Sequence, residues 1–290
     1  MAFAEFSLEN IGNSCYLNAV LQAGFACQTL AQHLEALVCP LLVESPEVRA
    51  DILTGLVQLL GFTLGQQEDA HECFQHWSRE LPSSALAVLS GKTTREVSCG
   101  FCDCTSIKEQ NFFGSFQCVV PEGSEVVSLE AVFVAAQSFE GFGFTCDICL
   151  DKRAVKGLPA RKREFISVPP QTLVLHLKRF HRAAVKRAWS RKIRSPVEIV
   201  ERLSVASVPY KLAAVVVHLG SSPYNGHYVT YRRFGDSWLL CNDESICEVP
   251  WAEVQRAARL DGYIYFFERV EELSVARTPS PRRSKRLAQP

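Results

Sequence analysis

Apolar residues recur at helical spacing through the first ninety positions and then give way to runs and alternations that suit strands. Tyr16, Leu17, Val20, Leu21 and Phe25 repeat every three or four residues, which predicts a helix from Cys15 to about Cys27 with Asn13 or Ser14 as its N-cap. Val48, Ile52, Leu53, Leu56, Val57 and Leu60 mark a second helix, closed by Gly61. A third is predicted from near Gln67 through Asp69, His71, Glu72, Phe74 and Trp77 to about Leu81. After Gly91, strands are predicted at 95–98, 107–120, 163–168, 172–180, 210–219, 228–234, 237–241 and 262–268, with short helices at 128–137 and 251–259. Helices first and strands later predict an α+β protein. Residues 272–290 are rich in Pro, Ser and Arg and read as a disordered basic tail.

Composition narrows the class. The 290 residues are 47% hydrophobic with zero formal net charge, enough for a large core and no overall argument for nucleic acid or anionic membrane. Cations do concentrate from Lys178 to Arg194, a run that reads as solvated loop because no aromatic stacking pattern accompanies it. No stretch approaches a membrane span of about 18 apolar residues, and the opening Met-Ala-Phe-Ala-Glu-Phe does not resemble a secretory leader. Twelve cysteines in such a chain suggest a reducing compartment, cytoplasmic or nuclear, where thiols are core residues, metal ligands or nucleophiles.

Cys15 falls in the first turn of the first predicted helix, where unpaired backbone N–H groups favour a thiolate. Taken alone it also suits a small buried apolar residue. Polar neighbours Asn10, Asn13 and Ser14 argue for the nucleophile and offer donors to an oxyanion. Far along the chain, Gly226-His227-Tyr228 opens a predicted hairpin that returns through Gly235-Asp236. A two-residue or symmetric four-residue loop sets Val229 opposite Asn242, which makes Asn242 the diagonal neighbour of His227 and sends Asp243 the other way. A three-residue loop exchanges those roles, so Asn242 is the favoured orienter and Asp243 the alternative. A lone strand histidine is more often structural, but the glycine before His227 permits close approach by backbone or substrate.

Cys99-Gly-Phe-Cys102 and Cys146-Asp-Ile-Cys149 form two C-x-x-C knuckles suited to a structural tetrahedral zinc, with a redox pair or coincidence as the alternatives. Cys104 lies close by. The gap between the pairs requires a folded extension to unite them.

These blocks together resemble the ubiquitin-specific proteases, papain-like deubiquitinating cysteine peptidases, over about Leu8 to Phe267. The resemblance rests on Asn10-Ile-Gly-Asn-Ser-Cys15-Tyr-Leu-Asn-Ala, Gln67-Glu-Asp69-Ala-His-Glu72, both cysteine pairs, Leu175-His-Leu-Lys-Arg-Phe180, and Gly226-His227-Tyr228 with Trp238, Asn242, Asp243 and Tyr265. It implies a catalytic domain over 1–271, with a helical thumb to about 96, zinc-ribbon fingers from about 97 to 167, and a β-rich palm. It implies a Cys15–His227–Asn242 triad with Asn10 as oxyanion donor. Asp69 and Glu72 would pair the arginines of the ubiquitin tail, with Gln67, Gly226 and Tyr228 lining the substrate cleft. Ubiquitin and ubiquitinated proteins are the implied partners of a monomeric enzyme. Ser7, Ser14 and Cys73 depart from the usual Gly, Thr and Phe, and the segment between Cys15 and Gln67 is short. Those departures motivate a second expectation, a weakly catalytic module that binds ubiquitin or a relative such as SUMO or NEDD8. The tail sequence Thr278-Pro-Ser-Pro-Arg-Arg-Ser-Lys-Arg suits nuclear import or phosphorylation.

Overall fold

The computed structural model describes residues 6–36, 40–41, 45–149, 157–180 and 191–270. The basic tail and residues 181–190 of the cationic run lie outside them. Helices α1 (Cys15–Ala26), α2 (Gln28–Gln32), α3 (Pro46–Leu59), α4 (Ala70–Glu80) and α5 (Ser83–Val88) come first. Strands β1 (Ser90–Cys99), β2 (Thr105–Phe113), β3 (Ser115–Val119) and β4 (Val127–Ser128) lead to α6 (Leu129–Ala136), then β5 (Glu140–Phe144), β6 (Leu158–Val168) and β7 (Thr172–Lys178). The remainder comprises β8 (Val197–Glu198), β9 (Arg202–Val205), β10 (Val208–Ser222), β11 (Asn225–Phe234), β12 (Ser237–Asn242), β13 (Ser245–Val249), α7 (Trp251–Asp261) and β14 (Gly262–Arg269). The architecture is α+β, as the order of patterns predicts.

Caps decide where the helices start. Ser45 caps α3 by accepting from the Val48 N–H at 3.5 Å, with Pro46 in the first turn. The third helix begins at Ala70 and not near Gln67. Asp69 is extended, and its carboxylate accepts from the N–H groups of His71 at 2.7 Å and Glu72 at 3.4 Å, which fixes the helix start one residue later.

The main sheet runs β13-β12-β11-β10-β14-β7-β3, with β9 added beside β10. Its side chains alternate between two cores. Ala214, Val216, Ile264 and Phe266 face the helices α1 to α5, whereas Val215, Val217, Tyr265 and Phe267 face α6 and α7. Because both faces are covered, residues 212–217 of β10 and 263–267 of β14 read as unbroken apolar runs with no polar alternation. A second sheet, β2-β1-β6-β5, extends away and carries the cysteine knuckles at its tip.

The single strand predicted at 107–120 is two strands in different sheets. Gly114, at φ +87°, breaks it; β2 stays in the extension while β3 pairs parallel with β7. Among the described residues the extension is therefore built from 90–113, 140–149 and 157–168, and 115–136 folds back onto the main sheet.

The cationic run also differs from a solvated loop at its described ends. The buried Arg179 guanidinium donates to the carbonyls of Gly262 (2.7 Å), Ile193 (3.1 Å), Ser195 (2.9 Å) and Arg259 (3.2 Å). Lys192 is buried against Asp261 at 2.5 Å and the His218 carbonyl at 2.6 Å. These cations tie the returning chain to the sheet, since carbonyls and one carboxylate replace the water they lose. Among the described residues no helix is long and apolar enough to cross a membrane.

Candidate active site

Helix α1 lies against β11, and the buried Thr230 hydroxyl donates to the Ala19 carbonyl at 2.7 Å to fix the two together. That packing brings the first residue of α1 to the first residues of β11. Cys15 is buried at the helix start. Ser14 occupies the N-cap position, yet its hydroxyl accepts from Ile11 N–H at 3.0 Å and makes no cap bond to the helix. Asn13 sits at φ +60° and donates to the Gly65 carbonyl at 2.8 Å. The Ser14 side chain therefore leaves the first turn of α1 uncapped, and the positive end of a helix dipole favours negative charge on a thiol placed there.

The hairpin carrying the imidazole has the two-residue loop. Phe234 pairs with Ser237 and Thr230 with Cys241, and His227 Nε2 lies 2.6 Å from Asn242 Oδ1. With Nε2 engaged there, Nδ1 is the nitrogen left for the thiol. The neighbouring Cys15 thiol is the largest influence on the imidazole. Together with Asn242 it outweighs the opposing effect of partial burial and pushes His227 up to about 9. At neutral pH the ring is therefore cationic beside the sulfur.

Gly226 makes this placement possible. It has φ +143°, and a Cβ there would stand 2.4 Å from the Leu219 carbonyl and 2.8 Å from Gly220 Cα. Its N–H donates to Gln67 Oε1 at 3.2 Å. Tyr228 is buried, with its hydroxyl on the Pro223 carbonyl at 2.9 Å; the structure places it beneath the cleft wall and not on its surface.

Asp243 does not point away from His227 as strand alternation predicts. At φ +48° it leaves the strand, and Oδ2 comes within 4.0 Å of His227 Nε2. The same carboxylate accepts from Asn10 Nδ2 at 2.7 Å and from Asn18 Nδ2 at 2.8 Å, so it joins the hairpin to the loop and helix that carry Cys15. Asn10 Oδ1 in turn accepts from the N–H groups of Gly12 and Ser14, both at 3.2 Å. One Nδ2 hydrogen of Asn10 is committed to Asp243, and an amide nitrogen carries a second.

Asp69 sits at the start of α4, partly buried, with Tyr263 hydroxyl 3.0 Å and 2.8 Å from its two oxygens. Burial of the carboxylate pushes it up to about 6 against the lowering effect of these bonds. Glu72 lies one turn further on, partly exposed on α4. His71, which burial and the Lys178 charge hold down near 4, stacks on His176 at 3.5 Å and bonds Ser115 at 2.7 Å; it is a packing residue between helix and sheet.

The Sγ atoms of Cys99, Cys102, Cys146 and Cys149 all lie within 4.8 Å of one another. Cys99 ends β1 and Cys146 follows β5, and the sheet order unites them. The Cys99–Cys149 and Cys102–Cys146 separations are 4.0 Å and 3.7 Å. A tetrahedral zinc with bonds of about 2.3 Å holds its sulfurs about 3.8 Å apart, so the cluster fits that ion.

The sequence profile of the ubiquitin carboxyl-terminal hydrolases matches residues 45–267, which include His227, Asn242 and all four clustered cysteines. The chain belongs to this family. By family it is a cysteine-type deubiquitinase. Ubiquitin carboxyl-terminal hydrolase 4 of Arabidopsis thaliana is 25% identical across 86% of this chain and 87% of its own length. Ubiquitin carboxyl-terminal hydrolase 12 of Salmo salar is 24% identical across 91% and 89%. In the SAGA Ubp8/Sgf11/Sus1/Sgf73 DUB module bound to ubiquitin aldehyde, one chain shares the fold with TM-score 0.69 at 19% identity, over 93% of this chain and 70% of that one. The family profile begins after Cys15, whereas both curated hydrolases match across most of the present chain.

Two residues of this hydrolase's site escape sequence reasoning. Asn18 gives a faint signal, as a polar residue one turn after Cys15 in an apolar helix. Tyr263 gives none, because it opens an apolar run that reads as core.

Proposed function

We propose that this chain hydrolyses the bond after the C-terminal glycine of ubiquitin in conjugates, with Cys15 as nucleophile, His227 as proton carrier and Asn242 as orienter. The observation that carries this reading is the packing of α1 on β11, which sets Cys15 beside the imidazole, together with the hold on His227 Nε2 at 2.6 Å from Asn242 Oδ1. The Cys15 sulfur adds to the glycine carbonyl, and the uncapped N–H groups of α1 with the second Asn10 hydrogen receive the oxyanion. His227 gives its proton to the leaving lysine amine, then takes one from the water that hydrolyses the thioester. Asn242 holds the ring so that the same nitrogen serves both steps.

Asp69 and Glu72 at the start of α4 suit the arginines of the ubiquitin tail, through charge-assisted hydrogen bonds. Gly226 and Gln67, joined by the 3.2 Å hydrogen bond next to His227, suit the diglycine, since glycine leaves room for close approach. Ubiquitin as partner is further supported by a solved neighbour bound to ubiquitin aldehyde. The four clustered thiols suit a structural zinc that holds the tip of the second sheet and takes no part in the reaction, in keeping with fingers, thumb and palm as working divisions. Zinc would be held by Cys99, Cys102, Cys146 and Cys149.

A ubiquitin probe bearing a thiol-reactive C-terminus tests the assignment. Covalent labelling mapped to Cys15 and lost in Cys15→Ala is expected. Saturable ubiquitin binding without an adduct or turnover would replace it with the binding-module alternative.

A further inference from the structure

The zinc cluster has a fifth sulfur. Cys104 lies outside the four thiols that enclose one point, yet its Sγ is 3.5 Å from Cys146 Sγ, shorter than the 3.7 Å and 4.0 Å separations among the four. Its position is fixed by the backbone, because the Cys99 N–H donates to the Cys104 carbonyl at 3.0 Å and closes the knuckle. Cys104 is partly exposed whereas Cys146 is 2% exposed. A solvent-reachable thiol with no place in a four-coordinate site thus touches a ligand sulfur.

We propose that Cys104 is an oxidation site through which hydroperoxides open the metal centre. The Cys104 thiol attacks the peroxide, the O–O bond breaks, and Cys104 becomes a sulfenic acid with release of one water or alcohol. The Cys146 sulfur then attacks Cys104 Sγ, the S–O bond breaks, and hydroxide leaves to be protonated by solvent. The two sulfurs lose two electrons in total and the peroxide gains them. The S–S distance needs to shorten from 3.5 Å to about 2.05 Å. Cys146 as a disulfide sulfur no longer offers a thiolate, and three ligands remain for a structural ion that needs four. Thiol reductants reverse the reaction and allow the metal to return.

The inference rests on zinc occupying the four-cysteine cluster, and the experiment separates the two. Full-length Cys15→Ser protein, which removes the nucleophilic thiol from the readout, is loaded with zinc and treated with hydrogen peroxide. Zinc release is followed with a chromogenic chelator and disulfides are mapped by peptide mass spectrometry. A Cys104–Cys146 disulfide forming in step with loss of one zinc per chain, reversed by dithiothreitol and added zinc, is expected. In the additional variant Cys104→Ser, zinc content should stay at one per chain and peroxide-driven release should slow at least tenfold. Equal release rates overturn the proposal, as does a disulfide confined to the four ligands, or a zinc content below one in Cys104→Ser, which would make Cys104 a ligand. Reduced wild-type chain that holds no zinc removes the metal assignment, and the disulfide map still decides whether Cys104 and Cys146 are the reactive pair.

Discussion

Asn18, one turn into the cysteine helix, donates to Asp243 at 2.8 Å, and Asp243 is the residue after the histidine's partner Asn242. This bond spans 225 positions of sequence and sets the distance between helix and hairpin. Its carboxylate also receives Asn10 at 2.7 Å, so one anion holds the loop, the helix and the strand end. Replacing Asp243 by Ala removes the carboxylate from both amides and leaves Asn18 only the Glu9 and Leu8 carbonyls, at 3.1 Å and 3.5 Å. The expected result is a kcat at least tenfold lower with KM for a ubiquitin C-terminal substrate little changed, and a loss of about 1–3 kcal/mol of stability. Asn18→Ala should reproduce the kcat effect in weaker form. Steady-state kinetics and chemical denaturation of both variants test this. A changed KM with normal kcat would mean that Asp243 serves binding and not alignment.

The imidazole supplies a pH signature. His227 is raised from its ordinary 6.5 to about 9, first by the neighbouring Cys15 thiol. A cation favoured in the folded state contributes stability fully below 6.5, and that contribution is lost as pH rises through about 9. The alkaline limb of kcat/KM should fall over the same range, because the leaving amine needs that proton. In Cys15→Ser the largest cause is weakened, so the His227 titration followed by NMR should move down toward 6.5. A midpoint still near 9 in that variant would show that another group holds the proton.

The positions of these two residues were legible in sequence because hairpin register is a counting argument. Two loop residues, Gly235-Asp236, determine that Asn242 falls diagonal to His227. The tetrathiol cluster was legible for a similar reason, since paired knuckles have few other uses. Asp243 was misread because alternation holds only while backbone is extended, and a residue at φ +48° does not obey it. Gly114 was missed as a break because strand-forming residues stand on both sides of it, and its role is set by the flanking strands joining two different sheets. Arg179 and Lys192 looked solvated because a charge in sequence does not reveal the carbonyls that fold around it.

Asp69 is the second titrating group. Its carboxyl is held up at about 6 by burial from an ordinary 3.8, so the folded state prefers the protonated form. The associated stability is present below 3.8 and lost as pH rises through 6. Asp69→Asn keeps an acceptor for the His71 N–H and for Tyr263 without the charge, and its melting temperature at pH 7.5 should rise. If the anion pairs an arginine of the ubiquitin tail, KM should fall as pH climbs through about 6 in the wild type and stay flat and higher in Asp69→Asn. A variant that melts higher with unaltered KM would leave Asp69 a helix cap alone.

Gly226 offers the sharpest test of the cleft, because two independent constraints forbid a side chain there. The backbone is at φ +143°, and a methyl group would meet the Leu219 carbonyl at 2.4 Å and Gly220 Cα at 2.8 Å. Neither contact is the end of a flexible side chain, so β10 and β11 must separate where they present His227. Strain of this kind costs about 1–3 kcal/mol, which a domain of this size tolerates. The chemistry is less forgiving, since displacement of a reacting group by about 1 Å can cost on the order of 100-fold in rate. Gly226→Ala should therefore melt only a few degrees lower while kcat/KM falls by about two orders of magnitude. Labelling of Cys15 by a small alkylating reagent should slow as well, because the imidazole no longer supports the thiolate. Activity close to wild type would mean that the strands yield without moving His227.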